Sequence, residues 1–156
     1  MTREEFIQKL GNRDYSYKIE GDKIIVTGVY VNNTHIIRGW INLGSLETIP
    51  SGIVFENDGG VNLNGLKNLS SDVIFNNNGD VTLNSLKTLV SGVKFNNRGD
   101  VKLKALETLH SGVEFNNGGG IYSKLFDGWL KLSKFTLGGV SDNKVLNIMI
   151  KRSVFE

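Results

Sequence analysis

The side chains that could act as bases or nucleophiles are few in this sequence and form no catalytic pattern. His35 and His110 are the two histidines, and His110 stands where neighbouring blocks of sequence have Pro50, Ser70 and Val90. Serines recur every 20 residues, which indicates turn hydrogen bonding rather than an activated nucleophile. These serines are Ser51, Ser71, Ser91 and Ser111. Without cysteine, thiol catalysis and Cys-ligated metal sites are excluded.

The acidic and glycine-rich segments indicate corners of the chain rather than a ligand site. Asp80 and Asp100 each follow a glycine, and a ladder of such carboxylates could bind Ca²⁺. The equivalent positions are Gly60 and Gly120, and no Gly-x-Asp ligand spacing recurs, so we expect the two aspartates to cap corners. The glycine run 118–120 lacks the Lys-Ser/Thr of a phosphate-binding loop. We therefore predict no metal and no cofactor.

Composition and charge narrow the class of protein. The 156 residues suit one domain. The sequence contains no run of about 18 apolar residues, so no membrane span is predicted. The acidic start does not look like a secretory signal, which together with the lack of cysteine favours the cytoplasm. A net charge of +2 is too small to imply nucleic acid or an acidic membrane as the partner.

A 20-residue repeat occupies the chain from residue 41 to residue 120. Four blocks align without gaps: INLGSLETIPSGIVFENDGG, VNLNGLKNLSSDVIFNNNGD, VTLNSLKTLVSGVKFNNRGD and VKLKALETLHSGVEFNNGGG. Apolar residues occupy positions 1, 3, 6, 9, 13 and 15 of every block, with Asn at position 17 and Gly at position 19. Such self-similarity is typical of a solenoid, in which each unit buries its apolar face against its neighbours.

The spacing within one block predicts a coil of two strands, a turn and a corner. The apolar pairs at positions 1 and 3 and at positions 13 and 15 alternate as half-buried strands do. The Leu-x-x-Leu between them suits a tight 3₁₀-like turn, and the Asn-Asn-x-Gly that follows Phe supplies residues that tolerate positive φ. We therefore predict a mainly β fold, a β-solenoid of parallel stacked coils with a leucine-rich-like repeat.

The segments on either side of the repeats are predicted to cover the ends of the solenoid. Thr2 and Glu5 have the spacing of a capping box, and Ser141 suits the N-terminus of a last helix. Covered ends would keep unpaired strand edges from solvent. The predicted single domain, 1–156, consists of a small α/β N-terminal cap (1–40), four repeats (41–120), and a partial fifth coil with a helical C-terminal cap (121–156).

The blocks resemble the roughly 20-residue repeats of uncharacterised small proteins encoded by bacteriophages and prophages. Those proteins combine an MTxEEF-like helix, a Gly-Asp-Lys-Ile strand and several Val-x-Leu-x-x-Leu-x-x-Leu-x-x-Gly-Val-x-Phe-x-Asn copies. This chain carries the first two parts as Thr2, Glu4, Glu5 and Phe6 and as Gly21, Asp22, Lys23 and Ile24. The resemblance implies a phage or mobile-element context, and hence the host cytoplasm, but no activity.

Side chains between the inward positions are predicted to point outward in two rows whose composition changes from coil to coil. The first row is Asn42, Asn62, Thr82, Lys102 and Tyr122. The second row is Val54, Ile74, Lys94 and Glu114, apolar at one end and charged at the other. Because interfaces have apolar anchors at the centre and charges at the rim, we predict that a partner protein binds the second row. Tyr122, Phe126 and Trp129 are the next candidates.

These observations favour a non-enzymatic repeat module that binds another protein rather than nucleic acid or a membrane. The resemblance makes a host or defence-system protein the expected target, with inhibition as the expected effect. Two alternatives stay open. One is a structural or assembly component that forms homo-oligomers. The other is an enzyme with its site in the caps, around His35 or around Asp127 and Trp129.

Overall fold

The computed structural model describes residues 1–28, 30–32, 35–37, 39–126, 128–130 and 134–136, with side chains described for 1–28 and 39–125. Within these ranges the chain is mainly β, with one α-helix, α1 (Arg3–Asn12), and one 3₁₀ helix (Lys124–Phe126). The strands are β1 (Tyr17–Glu20), β2 (Lys23–Val26), β3 (Tyr30–Asn32), β4 (His35–Ile37), β5 (Ile41–Asn42), β6 (Ile53–Phe55), β7 (Val61–Asn62), β8 (Ile74–Phe75), β9 (Val81–Thr82), β10 (Thr88–Leu89), β11 (Lys94–Phe95), β12 (Val101–Lys102), β13 (Thr108–Leu109), β14 (Glu114–Asn116), β15 (Ile121–Ser123), β16 (Gly128–Leu130) and β17 (Lys134–Thr136).

The four blocks form successive coils of a β-solenoid, which confirms the fold predicted from the repeat. Strands pair in parallel with their equivalents one block away, as Val61 does with Val81 and Ile74 with Lys94. A seven-stranded sheet has the order β1-β2-β6-β8-β11-β14-β17, and a six-stranded sheet has the order β16-β15-β12-β9-β7-β5. Among the described residues, these two sheets have antiparallel pairs at their ends, at β1–β2, β14–β17 and β15–β16, and β3–β4 is a separate antiparallel pair.

Each coil has a third extended segment that the sequence did not predict. The Leu-x-x-Leu region begins with the expected tight turn, in which the Leu66 N–H donates to the Leu63 carbonyl at 3.0 Å. Beyond the turn the chain extends again, and Thr88 of β10 pairs with Thr108 of β13. In the first two coils the same segment pairs through an isolated parallel bridge between Thr48 and Asn68. A strand of two residues is too short to show alternation, so the leucine spacing indicated only the turn.

One apolar core runs along the stack, and all six repeated apolar columns are buried in every coil. The rings of Phe55, Phe75, Phe95 and Phe115 stack with centroids 5.0–5.2 Å apart and planes within 7° of parallel. A slip of one residue would turn the Phe column outward, so this stack helps to hold the coils in register.

The N-terminal helix α1 contributes to the same core. The predicted capping box is confirmed: the Glu5 N–H donates to Thr2 Oγ1 at 3.1 Å, and the Thr2 N–H donates to Glu5 Oε2 at 2.8 Å. Phe6 and Leu10 belong to the core cluster, and the Arg13 guanidinium donates to Ser45 Oγ of the first coil at 2.9 Å. The helix predicted to begin at Ser141 lies outside the described residues.

Candidate functional site

Buried amides fix the corner that follows each Phe, called here the Asn corner (residues 57–60, 77–80, 97–100 and 117–120). Asn77 Nδ2 donates to the carbonyls of Gly59 and Gly79, both at 3.0 Å, so one side chain joins two coils. The Oδ1 of each of the four buried asparagines has no partner within the described structure, so these amides act as donors only. Asn57, Asn97 and Asn117 occupy the same place in their coils.

The aspartates at the Asn corner cap the next coil, as predicted. The Asp100 N–H donates to Asp80 Oδ1 at 2.8 Å, and the Gly120 N–H donates to Asp100 Oδ1 at 2.9 Å. No group of three or more His, Cys, Asp or Glu residues that could hold a metal ion occurs among the described residues.

The glycines of the Asn corner are required by close packing rather than by positive φ, so the expected role of Asn-Asn-x-Gly is wrong. A Cβ added at Gly79 would lie 2.5 Å from the Gly60 nitrogen. Positive φ occurs instead at the corner called here the Ser corner (residues 51–52, 71–72, 91–92 and 111–112). There Gly52, Gly92 and Gly112 have φ of 76°, 91° and 83°, and Asp72 has φ of 62°.

The outer row of the seven-stranded sheet is Ile25, Val54, Ile74, Lys94 and Glu114. The predicted register is confirmed, because these residues pair in succession across the sheet. Val54 is only 5% exposed, so it does not offer the apolar surface that the alternation predicted. The repeated columns end this row at the first coil, whereas β2 extends the sheet and sets Ile25, also 5% exposed, beside Val54.

The rest of the outer row is accessible. Ile74 is half-buried, and Lys94 Nζ lies 3.6 Å from Glu114 Oε2, with both side chains close to half exposed. An exposed ion pair of this kind contributes about 0–1 kcal/mol to stability. It can therefore be rearranged on binding at small cost.

A groove of about 320 Å³ opens where the outer row meets the Ser corner. Ile74 and Lys94, two of the predicted binding residues, line it together with Asp72. Arg3 of α1 and Lys23 of β2 also line it. Sequence reasoning missed Arg3 and Lys23, because they belong to the N-terminal segment and carry no repeat signal.

The groove combines one apolar side chain with charges of both signs. Arg3, Lys23 and Lys94 supply three cations, and Asp22 and Asp72 supply two carboxylates. The Arg3 guanidinium donates to the Asp22 carbonyl, which ties α1 to the β1–β2 hairpin. No histidine is among the described residues that line the groove.

Among the described side chains, those of Val54, Glu114 and Tyr122 do not line this groove. Tyr122 is half-buried in β15 and pairs with Lys102 and with Trp129, so it belongs to the six-stranded sheet. Phe126 ends the 3₁₀ helix, and His35 begins β4, in the two-stranded β3–β4 sheet. Asp127 lies outside the described residues, as do the side chains of Phe126, Trp129 and His35.

Sequence reasoning also missed three exposed apolar side chains near the N-terminus. Trp40 is 62% exposed just before the first coil, and Ile19 and Tyr17 are exposed on β1. They lie outside the repeat, so no column of equivalent residues indicated which way each would face.

Comparison with known proteins finds no matching family model, curated protein or solved structure. None of the helices in the described part of the chain is long and apolar enough to cross a membrane.

Proposed function

We propose that this protein is a non-enzymatic binding module that holds another protein on the outer row of its seven-stranded sheet. The observation that supports this proposal most is the groove, where the half-buried Ile74 lies among the charges of Arg3, Lys23 and Lys94. Protein interfaces combine an apolar anchor with a polar rim in this way. The core columns are uniform from coil to coil, whereas the outer row changes, as a scaffold that displays a binding surface would.

The charges of the groove favour an acidic segment of the partner. Arginine binds carboxylates through a planar fork of donors and is enriched among interface hot spots. We expect an aliphatic side chain of the partner to contact Ile74 and a neighbouring carboxylate to pair with Arg3 and Lys23. A cavity of about 320 Å³ receives only one or two side chains, so the remaining contact would extend along the row towards Glu114.

The resemblance to phage-encoded repeat proteins narrows the proposal. It supports a bacterial protein as the partner, with a defence-system protein that is inhibited by the binding as the specific hypothesis. A surface ordered before contact would suit a tightly bound inhibitor, since it loses little conformational entropy on binding.

The test is a pair of variants measured against a partner identified by affinity capture from bacterial lysate. Ile74→Asp should weaken binding by about 30-fold, which is about 2 kcal/mol for a hot spot. Thr88→Asp is the matched control, because Thr88 is exposed on a different face of the same stack. Both variants should keep the circular dichroism spectrum of the parent. Equal affinities for the parent and Ile74→Asp would refute the placement.

A further inference from the structure

We propose that β1 forms an antiparallel ladder with β1 of a second copy of this chain, so that two seven-stranded sheets join across a two-fold axis. Among the residues that the structure describes, β1 is the edge strand of its sheet and pairs with β2 alone. All four of its residues are exposed, including Ile19 at 56% and Tyr17 at 38%. Exposed apolar side chains on an unpaired edge are a template for strand addition.

The backbone of β1 has its free hydrogen-bonding groups in the positions that this pairing needs. The Thr27 N–H donates to the Ser16 carbonyl at 3.0 Å, and bonded residues alternate along an antiparallel pair. Lys18 and Glu20 therefore bond to β2, whereas the N–H and C=O groups of Tyr17 and Ile19 point to the open edge. Two β1 strands centred on Ile19 would exchange two hydrogen bonds between the Ile19 residues of the two copies.

The side chains are self-complementary in this register. On one face Ile19 meets its own equivalent, and Tyr17 falls beside Gly21 in the β1–β2 turn of the other copy, which leaves room for the ring because Gly21 has no side chain. On the other face Lys18 of each copy lies opposite Glu20 of the other. A shift by two residues would set Lys18 opposite Lys18 or Glu20 opposite Glu20, which is unfavourable. An isologous two-fold contact needs such a reciprocal pattern.

The ladder is short, so the dimer should be weak and dependent on concentration. Three residues of each β1, namely Lys18, Ile19 and Glu20, pair in this register and bury less than the roughly 1,000 Å² expected of a stable interface. In the monomer Lys18 Nζ already lies 3.1 Å from Glu20 Oε1, with both side chains exposed, so pairing exchanges one exposed ion pair for another. Lys18 and Glu20 do not line the groove, so this inference stands independently of the proposed function.

Charge exchange in the full-length chain tests the register, with sedimentation velocity over a concentration series as the measurement. Lys18→Glu alone and Glu20→Lys alone should each weaken dimerisation about tenfold. Each change sets like charges opposite each other, and the two-fold axis places this repulsion twice in the dimer. An equimolar mixture of the two variants should dimerise about as well as the parent, since opposite charges again face each other. The proposal would be overturned if the mixture dimerised as weakly as the single variants, or if neither variant changed the dimerisation affinity.

Amide hydrogen exchange on the unmodified chain gives a second readout that does not depend on variants. The amides of Tyr17 and Ile19 should exchange more slowly as the protein concentration rises, whereas that of Lys18, bonded within the monomer, should change much less. A chain that remains monomeric at all concentrations, with no change at Ile19, would show that the edge is not used in this way.

Discussion

The Asn corner and the Ser corner both turn the chain once in every coil, but they are constrained differently. At the Asn corner the amide of Asn77 is buried, and no space exists for a Cβ at Gly79. At the Ser corner three coils use glycine at positive φ and the second uses Asp72, and a Cβ at Gly112 would meet its nearest neighbour only at 3.4 Å. Close packing therefore restricts the Asn corner, whereas backbone conformation is the main restriction at the Ser corner, and the groove opens beside the second.

The largest loss of stability is expected in the core that lies behind both corners. Phe75→Ala should lower the free energy of unfolding by about 3–5 kcal/mol, because it leaves a cavity between two stacked rings. Ile74→Ala, on the same strand but facing outward, should cost about 1 kcal/mol or less. Urea unfolding of both variants measures the difference. Similar losses would mean that the two faces of β8 are not distinct.

The amide ladder gives the next largest effect. Asn77→Ala removes the donor to the carbonyls of Gly59 and Gly79, and a buried carbonyl left without a partner costs about 1–3 kcal/mol. We expect a loss of about 2–3 kcal/mol in urea unfolding. The control is Arg98→Ala, at an exposed position of the next Asn corner, which should change stability by less than about 0.5 kcal/mol. Equal losses would show that the buried ladder adds nothing.

A methyl group at the Asn corner tests the close approach of the coils. The new Cβ of Gly79→Ala would meet backbone atoms of Gly59 and Gly60 at 2.7 and 2.5 Å, so we expect a loss of about 2 kcal/mol as the coils are pushed apart. Gly11→Ala is the matched control, because it enters open space in α1 and should stabilise the protein by about 0.5–1 kcal/mol. Thermal unfolding of the pair should therefore shift in opposite directions.

The smallest effect is expected at the Ser corner. Asp72→Gly relieves a non-glycine residue at φ 62°, but it also increases the freedom of the unfolded chain. The two effects oppose each other, so the free energy of unfolding should change by less than about 1 kcal/mol. A loss of more than about 2 kcal/mol would show that this corner is as restricted as the other.

The coil and its core were predictable from the repeat, because equivalent apolar residues recur every 20 positions and are buried together when the coils stack. The Phe stack and the buried asparagines follow directly from those columns. The extension of the sheet by β2 did not, since the pairing of Ile24 with Ile53 joins segments that share no period. This is why Val54 was expected at the surface and lies buried.

The groove was predictable only in part for the same reason. Ile74 and Lys94 belong to a repeated row, so alternation identified them. Arg3 and Lys23 reach the groove through the docking of α1 and the hairpin, which depends on tertiary contacts that a periodic pattern does not encode.

The claim that folding restricts the core and the Asn corner while leaving the outer row free is tested most directly in one coil. The measurement is the protease resistance of every single substitution in residues 81–100, since resistance follows the population of the unfolded state. Polar replacements should abolish resistance at the buried apolar positions, namely Val81, Leu83, Leu86, Leu89, Val93 and Phe95. Variants at Asn97 and Gly99 should also lose protease resistance, whereas variants at Lys94 and Arg98 should retain it. Losses at Lys94 as large as those at Phe95, or free substitution at Asn97 and Gly99, would contradict the account.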